Sequence, residues 1–285
     1  MRPPFRAPAS LVTVALVLLA VAAPSAAALA PGRVVTSEDL TLVASTVVPD
    51  VHADQGLATV TRNGVTTLLT RGAGSIPRSL LRAGWTHIGD PDSRDGYVLD
   101  AYQGRAGSHV TLFALTAPDG HRTLYTHGLT PGETFHNSFA AIAPGSAYFV
   151  GGGWGTMTRL LVFPMPSRGS PRTLPLAAVI TLDRRVRNVQ GCAFESPTAL
   201  LCSTNDPYTD LFPAARQILR VELARPLDGR ALSARVSLLA TVPVDPTCTG
   251  TPETEGIDVH GSTVQVLVNS GCNDLATIYR YTRSA

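Results

Sequence analysis

The feature that most constrains this chain is a unit of two short strands joined by a turn, which occurs four times. In most copies a polar residue followed by a small residue opens the first strand. The opening residues are His87, Asn137, Gln190 and Glu255, which lie 50, 53 and 65 positions apart. Propeller repeats run about 40–50 residues plus insertions, so each copy has the length of one four-stranded blade.

A further β-rich stretch follows each of the last three copies, at residues 159–163, 217–223 and 277–281. Each predicts a third strand. The sequence stops soon after the last stretch, so we expect residues 40–48 to supply an outer strand to the final blade and close the ring. The pattern therefore predicts an all-β fold, a single five- or six-bladed β-propeller closed by an N-terminal strand. A β-sandwich or an irregular barrel is the alternative.

Turn residues support many short strands. Asn63-Gly64 and Asp119-Gly120 each separate two β-rich runs, which predicts hairpins. The acidic segment 90–96 predicts a solvated turn, because Arg94 takes the place of the third ligand of an EF-hand loop and the glycine comes one residue late.

The N-terminal residues have the features of a secretory signal. Arg2 and Arg6 precede an apolar run at 11–23 and then small residues up to 30. The run is shorter than the ~20 residues of a membrane span, although a retained anchor is the alternative. We expect residues 1–30 to be removed and residues 31–285 to form one secreted propeller domain.

Four cysteines in an exported chain predict two disulfides. A hairpin folding back at residue 197 brings Cys192 opposite Cys202, and one folding back near residue 260 brings Cys248 close to Cys272. A redox or metal cluster is not expected, since the chain has no Cys-x-x-Cys spacing.

Composition excludes several functions. All 23 basic residues are arginine, so lysine-dependent Schiff-base and P-loop chemistry is ruled out. Without Arg2 and Arg6 the basic residues equal the 21 acidic ones, and no basic cluster stands out. Nucleic acid and membrane are therefore not expected as partners. The chain also lacks the motif spacings of nucleotide sites, serine-hydrolase elbows and zinc proteases, so no nucleotide or organic cofactor is expected.

The polar opening residues predict where a site would lie. First strands line the axis of a propeller, so these residues converge at one mouth of the central channel. Second strands end on the same face, where they contribute Gln103, Trp154, Asn205, Asp206 and Asn269. Oxygen-rich side chains of this kind suit Ca²⁺, or they simply hydrate a narrow channel.

The run Glu255-Gly256-Ile257 is similar to the opening of a first strand in the calcium-dependent propeller superfamily, which includes gluconolactonase-like lactonases, paraoxonase-like arylesterases and esterase-like phytases. In those families the Glu binds an axial metal. The resemblance extends loosely to Asn137, Asn205 and Asp206 as further ligands. It implies Ca²⁺ at these positions.

Two functions remain open at this point. The first is a monomeric platform that binds a small molecule, glycan or protein at the mouth, with Trp154 as a stacking surface. The second is a Ca²⁺-dependent hydrolase of lactones, esters or phosphoesters. In the second, His87 or His136 would move a proton.

Overall fold

The computed structural model describes residues 39–105, 108–130, 133, 138–167, 169–243, 251–271 and 274–283. The predicted signal peptide lies outside these residues. The strands are β1 (Leu40–Pro49), β2 (Gly56–Arg62), β3 (Val65–Arg71), β4 (Trp85–Ile88), β5 (Asp92–Arg94), β6 (Tyr97–Gly104), β7 (Val110–Thr116), β8 (Arg122–Gly128), β9 (Phe139–Ile142), β10 (Tyr148–Gly152), β11 (Met157–Pro164), β12 (Ala178–Val186), β13 (Val189–Ser196), β14 (Ala199–Thr204), β15 (Gln217–Leu223), β16 (Leu232–Thr241), β17 (Glu253–His260), β18 (Thr263–Asn269) and β19 (Leu275–Arg283). Short 3₁₀ turns span Asp50–His52 and Ala73–Ser75, and a helix, α1, spans Arg78–Arg82.

These strands form five antiparallel blades. In chain order the blades are β2-β3, β4/β5-β6-β7-β8, β9-β10-β11-β12, β13-β14-β15-β16 and β17-β18-β19-β1. The innermost strands β2, β5, β9, β13 and β17 contact one another in a closed circle. The described chain is therefore a five-bladed β-propeller, which confirms the predicted fold class. Blade 1 departs from the four-stranded pattern, since β3 leads into a 3₁₀ turn and α1.

The hairpins follow from local turn chemistry. Asn63 and Gly64 both adopt positive φ, at 51° and 77°, as a two-residue turn between twisted strands requires. Asp95 and Gly96 repeat this geometry between β5 and β6. The Asn63-Gly64 hairpin is thus confirmed, and the β7–β8 hairpin at Asp119-Gly120 is present as well.

The predicted closure is confirmed. β1 pairs antiparallel with β19 from Leu40–Arg283 to Pro49–Leu275, so the N-terminal strand completes the last blade. The disulfide Cys192–Cys202 is also confirmed, with its two residues directly opposite in β13 and β14. Cys248 and Cys272 lie outside the described residues.

Apolar layers fill the spaces between neighbouring blades. Phe113, Phe149 and Phe163, for example, pack together between blades 2 and 3 with ring centroids 4.7–5.2 Å apart. Blades 3 and 4 are joined further, because their outer strands β12 and β16 pair in parallel from Ile180–Leu232 to Leu182–Ala234. This contact ties two blades along their rims.

One side chain fills the axis. The carboxyl group of Asp90, which is 0% exposed, accepts hydrogen bonds from the backbone N–H of Leu57 at 2.9 Å and of Ile257 at 3.1 Å. Its own backbone pairs with the segment that starts β9, through the carbonyl of Ser138 at 2.8 Å and the N–H of Ala140 at 3.1 Å. A single residue therefore connects blades 1, 2, 3 and 5.

Three glycines make room for this carboxyl group. A Cβ on Gly191 would lie 2.2 Å from Asp90 Oδ2, and one on Gly256 would lie 2.1 Å from Asp90 Oδ1. Gly56 packs against the backbone of Asp90, where a Cβ would be 2.5 Å from its Cα. The small residue that follows the polar one in the repeat is thus needed for close packing around Asp90.

We expect Gly191→Ala to lower the free energy of unfolding by about 2 kcal/mol or more, since the added methyl group overlaps atoms that cannot move away cheaply. Gly128→Ala is the matched control, because a Cβ there meets nothing within 4 Å. Urea unfolding of both variants measures the difference. Equal stabilities for the two variants would contradict the packing of Asp90.

Candidate functional site

The mouth is the axial face on which the inner strands begin, and the buried side chain of Asp90 lies behind it. Gln55, Gln190 and Glu255 each precede one of the three glycines that pack on Asp90. His87 is not their counterpart in blade 2, because it lies on β4 opposite Gln103, three residues before Asp90. The run Gln55-Gly56-Leu57 has the polar-then-small pattern of the repeat, and this pattern could have identified the first strand of blade 1.

Carboxyl groups gather on the blade 5 side of the mouth. Glu255, which is 2% exposed, is hydrogen-bonded to Glu253, and Asp54 lies close enough to repel it. Burial, and then the charge of Glu253, raise the pKa of Glu255 well above its ordinary value. Asn269 lies opposite Glu253 and accepts a hydrogen bond from the N–H of Gly271 at 2.9 Å. This side of the mouth favours a proton or a cation between its carboxyl groups.

Amides gather on the side of blades 3 and 4. Gln190 Nε2 donates to Asn188 Oδ1 at 2.8 Å, and Asn188 Nδ2 donates to the carbonyl of Asn205 at 2.6 Å. The N–H of Asn188 also donates to the carbonyl of Trp154 at 2.8 Å. The Trp154 side chain is 40% exposed. These contacts fix the amides relative to one another and join the backbone of Trp154 to that of Asn188.

Asn188 was missed by sequence reasoning. It lies between β12 and β13 with a φ of 51°, a left-handed conformation that Asn tolerates better than most residues. The repeat places no requirement on this position, because it belongs to the connection between blades. An Asn directly before a strand that opens with a polar residue was the signal available.

Asp206 is already paired. Its carboxylate accepts hydrogen bonds from Arg187 Nη1 at 3.0 and 3.3 Å, and Arg187 also binds Asp210 at 2.8 Å. The guanidinium group lies 4.9 Å from the ring centre of Tyr208. A metal-binding role for Asp206 would require this ion pair to open.

The remaining predicted site residues are placed only in part. His87 and Gln103 are half-buried on paired strands of blade 2. His136 and Asn137 lie outside the described residues. In the described part of the chain, no group of three or more His, Cys, Asp or Glu side chains is arranged to hold a metal ion.

The acidic segment 90–96 differs from the expected solvated turn. Asp90 and Asp92 are 0% and 7% exposed, and only Asp95 and Gly96 form the turn. Asp92 accepts hydrogen bonds from the backbone N–H groups of Ile142 and Ser93, each at 2.6 Å. Burial raises the pKa of Asp92 to about 7 despite these bonds. Tertiary packing against blade 3 therefore turns a loop-like sequence into part of the core.

Comparisons with known proteins found weak structural likenesses. No protein-family model matches the chain, and no curated protein matches it. The glutaminyl cyclase of Myxococcus xanthus is 10% identical, with 86% of this chain and 97% of that chain covered and a TM-score of 0.46. Native arabinanase Arb43A of Bacillus subtilis is 10% identical, with 84% and 96% covered and a TM-score of 0.46. The β-propeller domain of Cps50 (Swd1) from Myceliophteria thermophila is 11% identical, with 77% and 61% covered and a TM-score of 0.37.

The class of this protein follows from its own ring of five blades: it is a β-propeller with a disulfide between two strands of blade 4. A disulfide is compatible with an oxidising compartment. In the part of the chain that the structure describes, no helix has the length and apolar character needed to cross a membrane.

The buried Asp92 predicts a pH dependence of stability. Its pKa is about 7 in the folded state and near 3.8 when exposed, so the folded state keeps a proton that the unfolded state releases. The contribution of protonated Asp92 to the free energy of unfolding is therefore complete below about pH 4. By pH 7 this contribution has fallen by about 4 kcal/mol. The free energy of unfolding, measured in urea, should decrease over this range.

Asp92→Asn should flatten this decrease, since the amide keeps an acceptor for Ile142 but does not titrate. Asp95→Asn is the matched control, because Asp95 is exposed in the neighbouring turn. A wild-type slope in Asp92→Asn would contradict the assignment.

Proposed function

We propose that this protein is a secreted β-propeller that binds a ligand at its mouth, where the ligand is a small molecule, a glycan or a protein. The observation that carries the proposal is that Trp154, whose side chain is 40% exposed, is joined through its backbone to Asn188, and the amide of Asn188 is in turn bonded to Gln190. An apolar ring and fixed hydrogen-bonding groups together are what a polar ligand with a flat face requires.

The floor of the mouth supports binding rather than transport through the channel. Asp90 is fully buried and is hydrogen-bonded to two other blades, so its side chain occupies the axis behind the mouth. The amides are held by one another before any ligand arrives. Groups that are already ordered lose little conformational entropy on binding.

Secretion belongs to the same proposal. The signal-like residues 1–30 and the disulfide Cys192–Cys202 both fit an exported protein. The balanced charge of residues 31–285 supports neither nucleic acid nor a membrane surface as the partner. We propose that the exported protein acts as a monomer.

The chain contains two tryptophans, which allows a direct test at the mouth. In a Trp85→Phe background all indole emission comes from Trp154. We expect titration with a panel of neutral oligosaccharides and small polar metabolites to quench this emission for at least one compound. Adding Gln190→Ala should weaken that binding about tenfold, since a lost hydrogen bond costs about 1.4 kcal/mol.

Arg78→Gln serves as the control, because Arg78 is exposed on α1 and far from these amides in sequence. No quenching across the panel, together with no partner bound by the immobilised protein, would contradict a mouth-binding function. Quenching that is unaffected by Gln190→Ala would place the ligand elsewhere.

The second candidate is a Ca²⁺-dependent hydrolase of lactones, esters or phosphoesters, as in the gluconolactonase-like superfamily. It is favoured by one observation: Glu255 is buried against Glu253 and repelled by Asp54. Cation binding would relieve this repulsion. Asn205 and Asn137 would add oxygen ligands, whereas Asp206 fits poorly because Arg187 holds its carboxylate. Bound Ca²⁺ would supply polarisation of a substrate oxygen, and His87 or His136 would move a proton.

Thermal melting with EDTA and then with added Ca²⁺ tests this candidate. A site present only in the folded state raises the melting temperature by several degrees when it is filled at 100 times its Kd. Glu255→Gln should abolish the rise, and Asp95→Asn, which changes an exposed carboxylate in the turn between β5 and β6, should keep it. An identical melting temperature with EDTA and with millimolar Ca²⁺ would count against a metal at the mouth.

A further inference from the structure

A pocket opens at the end of blade 2, and none of its lining residues is among those assigned to the mouth. It has a volume of about 380 Å³ and lies where β4 begins and β6 ends, with Trp85 and Gly104 directly opposite each other. Its walls include Arg82, Arg105 and Ser108. Small-molecule pockets span about 300–1,000 Å³, so this pocket has the size of a binding site.

The charge of this pocket is one-sided. Arg82, at the end of α1, and Arg105, after β6, both line it, and none of the described residues that line it is acidic. Neither guanidinium group has a hydrogen bond or ion pair in the described part of the chain, whereas Arg71, Arg187 and Arg220 are each bound to carboxylates. Two uncompensated guanidinium groups in one pocket attract an anion, and their forked N–H groups match a carboxylate or sulfate.

Trp85 gives the pocket a rigid aromatic wall. Its ring is half-buried and packs on the cluster formed by Ile76, Leu80 and Ile88. The remaining part of the residue faces the pocket. A tryptophan fixed in this way offers a flat apolar surface without losing conformational entropy when a ligand arrives.

The backbone keeps the pocket open. Gly84 has a φ of 93°, a conformation that residues with a Cβ rarely adopt. A Cβ on Gly104 would lie 2.8 Å from Ser108 Oγ, so this position also requires glycine as the loop stands. Ser108 Oγ is itself fixed by donating to the carbonyl of Val110 at 3.0 Å.

We propose that this pocket binds an anionic sugar, a ring that carries a carboxylate or sulfate group. The acidic group lies against Arg82 and Arg105, and the C–H face of the ring stacks on Trp85. A neutral sugar leaves the two charges uncompensated, and a bare anion leaves the aromatic wall unused. The proposal does not depend on the function proposed for the mouth, since the two sites share no residue.

Fluorescence reports on this pocket alone in a Trp154→Phe background, where all indole emission comes from Trp85. Trigalacturonate, a sulfated disaccharide, neutral galactotriose and inorganic phosphate are the probes. We expect trigalacturonate or the sulfated disaccharide to quench or shift the emission with saturation. Galactotriose and phosphate should bind at least tenfold more weakly. Raising NaCl from 0.05 to 0.5 M should weaken the binding, because exposed charges are screened.

Three single variants assign the charges. Arg82→Gln and Arg105→Gln should each weaken binding of the acidic sugar at least tenfold, and Arg78→Gln should leave it unchanged. Arg78 is exposed on the same helix but does not line the pocket, and thermal melting checks that each variant is folded.

Each contrary result overturns the proposal in a distinct way. If neither acidic sugar changes the Trp85 emission, the pocket does not bind this class of ligand. Equal affinity for phosphate shows that the pocket recognises an anion without the ring, and equal affinity for galactotriose shows that the arginines do not select charge. Equal losses in Arg78→Gln and Arg82→Gln show that only general charge is involved. If no ligand binds at the mouth, which is measured through Trp154, the outcomes of these experiments on Trp85 keep their meaning.

Discussion

The structure depends on the side chain at its axis. Asp90 joins the inner strands of blades 1 and 5 through its carboxyl group and that of blade 3 through its backbone, while Gly191 of blade 4 packs on it. Burial raises the pKa of this carboxyl group well above its ordinary value, even though two N–H groups bind it. A buried polar group that is fully hydrogen-bonded fixes one arrangement of its neighbours. Here it fixes the positions of the strands that open onto the mouth.

Away from the axis, arginine connects the blades. Arg71 of blade 1 and Arg122 of blade 2 both bind Asp100, which is fully buried. Arg220 of blade 4 and Arg283 of blade 5 both bind Glu195. The planar guanidinium group can bind two acceptors at once, which suits a chain without lysine. Against this background of paired arginines, Arg82 and Arg105 share a pocket, and neither has an acidic partner among the residues that the structure describes.

The sequence anticipated much of the fold because its signals are local. The Asn63-Gly64 turn, the Cys192–Cys202 pair across a hairpin and the strand at 40–48 each follow from chemistry or spacing within a short stretch or at a chain end. The mouth was anticipated less completely. Gln190 and Glu255 were recognised from the repeat, but Asn188 lies in a connection between blades on which the repeat places no requirement.

Short antiparallel strands in repeated units, and closure by the N-terminal strand, can be read from the amino-acid sequence, since turns and alternation act between near neighbours. Three features required the folded structure: blade 1 has two strands, Asp90 rather than His87 faces the axis, and Asp92 is buried. These features arise where segments from different blades meet. Whether a carboxyl group lies in solvent or in the core depends on partners such as Leu57, Ile142 and Ile257, which are distant in the chain.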